Sequence, residues 1–152
     1  MNKLKATIVN IESSGHISLV DLRVASPSGS GESQGDIFSC VIIETAETAD
    51  YLKIGNEVFI LFKETEVSIG KNLSGQISLR NQIHGTIKHI ERGRVLSKII
   101  LDYQGMEIGS VITTRSANKL NLQAGDSVVG LVKANEVSIM EGETPWNSTG
   151  SR

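Results

Sequence analysis

The chain has 152 residues, 39% of them hydrophobic and 21% charged, with a formal net charge of −2 at pH 7. That length suits one domain, or two small ones of about 70 residues that stabilise each other by packing, and the charge lacks the basic footprint of a general nucleic-acid binder. Cys40 is the only cysteine, which excludes an intrachain disulfide and a cysteine-rich zinc site and points to a reducing, intracellular setting.

From the N-terminus, Met1-Asn2-Lys3-Leu4-Lys5 contains no signal-peptide core, and no later run approaches a membrane span, so a cytoplasmic location is expected. Residues 4–11 alternate through Leu4, Ala6 and Ile8, with some irregularity at Val9 and Ile11, as a half-buried strand does. Residues 16–24 and 37–43 predict a second and a third strand, joined by the Gly/Ser loop 26–35. A brief helix at 49–52, capped by Thr45 or Thr48, precedes the turn Gly55-Asn56, a strand at 57–62 and a final strand through Val67 and Ile69.

The pattern then repeats. A shift of 79 superimposes Asn2, Thr7, Ile8, Ile11 and Glu12 on Asn81, Thr86, Ile87, Ile90 and Glu91, and a shift of 70 places Glu66-Val67-Ser68-Ile69 on Glu136-Val137-Ser138-Ile139. The difference of nine residues matches the extra Gly/Ser loop of the first copy. The second copy predicts strands at 83–90, 94–101, 106–113, 127–132 and through Val137 and Ile139, with a helix at 117–120 capped by Ser116. Five strands with one helix between the third and fourth is the element order of an oligonucleotide/oligosaccharide-binding (OB) barrel. The expected fold is therefore all-β: two tandem five-stranded OB-like barrels, each with one short helix. The first spans residues 1–71 and the second 77–141, with 142–152 as a tail beyond the last strand.

Four stretches carry a resemblance: Ser78-Leu79-Arg80-Asn81-Gln82; Gly85-Thr86-Ile87 with Ile90-Glu91-Arg92-Gly93; Leu120 to Asp126; and Val132-Lys133-Ala134-Asn135-Glu136-Val137. Together they resemble the molbindin or Mop domains, classed with the TOBE domains of molybdate transport and regulation. The resemblance covers residues 78–140 closely and the first half in register, as in a tandem di-Mop protein. It implies an oxyanion ligand, molybdate or tungstate, and a trimer with sites at subunit interfaces. It also implies that Ser78, Arg80 and Asn81 form one wall and Lys133, Ala134 and Asn135 the other, contributed by different barrels.

The residues support that chemistry in their own right. A tetrahedral dianion needs several N–H and O–H donors and positive charge to offset its desolvation. Ser78 offers a hydroxyl, Arg80 a planar fork of donors, the backbone from Leu79 to Asn81 further N–H groups, Lys133 a mobile charge and Asn135 an amide. Lys63 is the counterpart of Lys133, but Glu64 follows it with a charge that opposes an anion, and Met1 stands where Arg80 stands in the second copy. Thr113 and Ser116 flank a helix start and are candidates for a second oxyanion, with simple capping as the rival reading.

His16, His84 and His89 have no metal-ligand spacing, and neither a nucleophile elbow nor a phosphate-binding glycine loop is present, so an enzyme is not expected. Aromatic residues are 4% of the chain, too few for the stacking platforms of a nucleic-acid barrel. A stand-alone molybdate-binding protein is favoured by a chain that starts at its own Met1. The ligand-binding half of a molybdate-dependent regulator stays open, as does a barrel that has lost its ligand and serves assembly or nucleic-acid binding.

Overall fold

The computed structural model describes residues 1–26 and 35–142. Most of the Gly/Ser loop and of the C-terminal tail lies outside the described residues. The elements are β1 (Asn2–Ser14), β2 (Ile17–Val24), β3 (Ile37–Ile42), β4 (Glu57–Phe62), β5 (Ser68–Gly70), β6 (Asn81–Arg92), β7 (Leu96–Tyr103), β8 (Met106–Thr113), α1 (Thr114–Lys119), β9 (Ser127–Val132) and β10 (Ser138–Glu141). Short 3₁₀ turns at Glu64–Glu66 and Ala134–Glu136, absent from the sequence reading, lead into β5 and β10.

Alternation decides which face each strand buries. In β1, Leu4, Ala6 and Ile8 point inward while Lys3 and Lys5 face solvent, and β2 buries Val20, Leu22 and Val24 in the same way. The irregularity at Val9 is a shift in the β1–β2 register between Ile8 and Asn10, and β6 repeats it against β7 between Ile87 and His89. The inward faces of both halves merge into one hydrophobic cluster in which Phe38 and Phe62 pack with ring centroids 6.1 Å apart.

The sheets do not follow the sequence repeats. One has the order β10-β4-β1-β2-β3 and the other β5-β9-β6-β7-β8, with every pair antiparallel. Each repeat supplies four strands of its own sheet and lends its last strand to the other. Val67 shows what holds the lent strand. It is 2% exposed, and it packs so close to Gly130 that a Cβ there would stand 3.3 Å from Val67 Cγ1. Burying such a side chain contributes about 1.5–3 kcal/mol.

Paired hydrogen bonds reinforce the exchange. Asn81 Nδ2 donates to Ser39 O at 2.9 Å while its Oδ1 accepts from Ser39 N at 2.7 Å. Its repeat counterpart Asn2 does the same to Gly109, both contacts at 2.8 Å. A second pair follows the same symmetry: Ser110 Oγ donates to Val67 O at 2.6 Å, and the Cys40 thiol donates to Val137 O. Residues 71–80 link the halves, and Lys71 Nζ fastens this link by reaching Leu120 O, Asn121 O and Asp126 Oδ2. The Lys71 hydrogen bond, with a second from Gln123 N–H, holds the Asp126 carboxyl below its ordinary range.

Two expectations about helices change. The first-repeat helix at 49–52 is a set of turns, because Thr48 Oγ1 accepts from Thr45 N and donates back to Thr45 O, which competes with helix propagation. In the second repeat the helix starts earlier than expected. Thr113 rather than Ser116 is the N-cap, and its Oγ1 accepts from Ser116 N at 3.0 Å. Among the described residues no helix is long and apolar enough to cross a membrane.

The clamps carry a measurable share of stability. Asn81→Asp keeps an acceptor for Ser39 N–H but sets a carboxylate against Ser39 O, so a loss of about 2–4 kcal/mol in urea unfolding is expected; a change below about 0.5 kcal/mol would refute the clamp. The second pair is tested through the repeat itself. Cys40→Ser installs the group already present at Ser110 and is expected to stay within about 1 kcal/mol of the parent, whereas Cys40→Val orphans Val137 O and costs about 1–3 kcal/mol. Burial also pushes the Cys40 thiol up to about 12. Iodoacetamide at pH 8 should therefore alkylate Cys40 only after denaturation, as read by mass spectrometry.

Candidate functional site

The β6–β9 ladder brings the sequence-predicted residues together. Asn81 pairs with Val132, so Arg80 and Lys133 lie opposite each other one residue past the end of the ladder. Ser78, Arg80, Lys133 and Asn135 are exposed, and Leu79 and Ala134 are half-buried beside them. Within one chain, both segments flank the same end of the β6–β9 ladder. The other half of the chain borders them through Ser39 of β3, whose Oγ donates to Asp21 Oδ1 at 2.7 Å.

Among the described residues Arg80 and Lys133 make no ion pair and no side-chain hydrogen bond, and the Ser78 hydroxyl and the N–H groups of Leu79 and Arg80 have no protein partner. Gln82 Nε2 donates to Leu79 O at 2.9 Å and so fixes the backbone of this approach. Two cations, a hydroxyl and free backbone donors at one edge, none of them neutralised, are suited to holding an anion.

Asn81 plays a different part from the one expected. Its side chain is 0% exposed and both its amide groups are engaged by Ser39, so it is not available as a ligand donor. It anchors the strand that carries Arg80. The signal was present in the sequence as the repeat counterpart Asn2, which has no Ser-x-Arg before it and yet keeps the asparagine. Thr113 and Ser116 are likewise engaged with each other: Thr113 Oγ1 accepts from Ser116 N and donates to Ser116 Oγ at 2.8 Å. Thr113 is thus the cap of α1, and both side chains remain exposed.

The corresponding edge of the first repeat is built differently. Lys63 is exposed and unpaired among the described residues, but Glu64 turns its carboxylate toward the Met1 amino nitrogen at 3.1 Å and Lys98 Nζ at 3.8 Å. The Met1 amino group and, more weakly, Lys98 hold the Glu64 carboxyl below its usual range.

A groove of about 610 Å³ lies between the link and the second sheet, lined by Leu73, Ile77, Gln82, His84 and Val129 among others, and it holds neither Arg80 nor Lys133. Among the described residues no group of three or more histidine, cysteine or acidic side chains could hold a metal ion.

With this geometry in view, the chain can be compared with known proteins. Residues 77–139 match the TOBE domain. The molybdenum import ATP-binding protein ModC of Brucella abortus is 38% identical over 84 residues, covering 55% of this chain and 23% of ModC. The chain thus spans about a quarter of that relative's length. The molybdenum-pterin-binding protein 2 of Clostridium pasteurianum is 31% identical over 65 residues, covering 42% of this chain and 96% of that protein. Among solved structures, the cytoplasmic molybdate-binding protein ModG, crystallised with molybdate bound, superimposes with a TM-score of 0.83 at 29% identity, covering 93% of this chain and 96% of ModG. The near-complete overlap with a small relative, the TOBE match and the shared tandem fold place the chain in the molbindin, or Mop, family.

Proposed function

We propose that this chain binds molybdate or tungstate reversibly and without redox chemistry, for storage, buffering or sensing in the cytoplasm, and that it is a binding protein rather than an enzyme. The observation that carries the reading is the uncompensated pair Arg80 and Lys133 at the end of the β6–β9 ladder. Arg80 offers a planar fork to two oxygens of a tetrahedral dianion, and Lys133 offers a point charge to a third. Ser78 and the free N–H groups of Leu79 and Arg80 complete the donor set, with Ala134 and Asn135 flanking it. The likeness to ModG along nearly the whole chain supports the same ligand class. Molybdate and sulfate carry the same charge, so discrimination rests on the spacing of these donors.

On a single chain the site is open, and an anion there keeps much of its hydration. We propose that association closes it, in a trimer whose sites lie at subunit interfaces. Apolar residues at the surface favour association. Ile17 and Leu96, repeat counterparts that begin β2 and β7, are 52% and 53% exposed, and Val95 just before β7 and Ile43 just after β3 are also exposed. Sedimentation equilibrium should return three times the chain mass.

Isothermal titration with molybdate, tungstate and sulfate tests the ligand. Micromolar or tighter binding of the first two with little response to sulfate is expected. Arg80→Ala and Lys133→Ala should each weaken molybdate binding at least about tenfold, the equivalent of about 1.4 kcal/mol, with unchanged unfolding midpoints. Full affinity in both variants would place the ligand elsewhere.

A further inference from the structure

The two repeats answer the same electrostatic problem in different ways, and the internal symmetry lets one be read from the other. Met1, Asn2, Lys63, Glu64, Lys98 and Gly109 at the first edge correspond to Arg80, Asn81, Lys133, Ala134, Leu19 and Ser39 at the second. At both edges a buried asparagine clamps the backbone of the other half, so the frames are equivalent. Their charges differ. At the second edge Arg80 and Lys133 meet no carboxylate partner, and Ala134 brings none. At the first, Glu64 lays its own carboxylate among the cations, 3.8 Å from Lys98 Nζ and 3.1 Å from the Met1 nitrogen.

A second observation, independent of charge, concerns the space Glu64 takes. A Cβ at Gly109 would stand 3.0 Å from Glu64 Cγ and 3.3 Å from Lys98 Cε, so the glycine is what lets the glutamate lie along β8. At the second edge the sizes are exchanged, with Ala134 in place of the glutamate and Ser39 in place of the glycine. The long side chain and the small residue beneath it occur together, as do the short side chain and the larger residue. Glu64 is thus seated in the fold.

We infer that the Glu64 carboxylate is a built-in substitute for the external oxyanion: it fills the first repeat's anion position and closes it, so that only the second repeat binds ligand. The inference rests on the reading of Arg80 and Lys133 as the oxyanion site. It makes Glu64 a specificity-determining residue that sets how many anions each chain takes up. Without its carboxylate, Lys98 and the Met1 amino group lose their partner beside the exposed Lys63, and the first edge presents cations as Arg80 and Lys133 do at the other. The first repeat is then a latent site.

The test counts bound molybdate per chain by equilibrium dialysis and elemental analysis, with unfolding midpoints as the control for folding. In the parent chain Lys63→Ala leaves the count unchanged, and Glu64→Ala raises it by one molybdate per chain. In the Arg80→Ala background, where binding is lost, adding Glu64→Ala restores one molybdate per chain, and a further Lys63→Ala removes it again. If Glu64→Ala adds nothing in either background, or if Lys63→Ala lowers the count of the parent chain, the inference is overturned. A parent chain that takes up no molybdate, or an Arg80→Ala chain that keeps its full count, would instead overturn the assignment of the second-repeat site, and this inference with it.

Discussion

Each half of this protein is completed by the other, and the buried asparagines Asn2 and Asn81 are where that dependence is sharpest. A primary amide can satisfy one backbone N–H and one C=O at once, and each of these two does so on a strand of the opposite half. Left without that partner, the buried backbone groups of Ser39 and Gly109 would carry a desolvation penalty. The same geometry fixes the residue just before each asparagine. The clamp that joins the halves therefore also positions Arg80 at the edge where the cations gather. Strand exchange through β5 and β10 adds the apolar component, since Val67 and Val137 are buried in the half to which they are lent. Fold and site share one set of contacts.

Charge bookkeeping then separates the repeats. In a half-exposed setting a single carboxylate decides whether a cluster of cations is available to a ligand or already satisfied. Glu64 satisfies the Met1 amino group and Lys98 at the first edge, helped by the room Gly109 leaves, and Ala134 leaves Arg80 and Lys133 unsatisfied at the second. Duplication supplied two equivalent frames. The divergence lies in a few side chains at the tip of each.

Much of this was legible in the sequence, for stated physical reasons. Apolar alternation located the strands, and the two offsets revealed the duplication, because positions facing a shared core constrain residue type. Arg80 and Lys133 stood out as cations at the ends of apolar strands, and Glu64 as a charge out of place beside Lys63. What escaped was whatever depends on which copy a segment joins. The repeat shows that Val67 and Val137 are equivalent, but β5 fits the groove beside β9 or beside β4 equally well by pattern. An asparagine directly after an arginine reads locally as a ligand donor; the repeat counterpart Asn2 hints at another role, and the bonds to Ser39, far along the chain, show the Asn81 side chain engaged. The first-repeat helix gives way to turns for a local reason, since Thr45 and Thr48 can close a turn with their own side chains as readily as they can cap a helix.

The central claim is that an oxyanion is held by Arg80 and Lys133 and kept from the first repeat by Glu64. Crystals grown with tungstate test it most directly, because tungsten's anomalous scattering locates the ion without reference to the protein density. The account predicts a peak within hydrogen-bond reach of Arg80 and Lys133 and none beside Glu64. A peak at Lys63 and Lys98 with Glu64 swung aside, or peaks only at places remote from both edges, would contradict it.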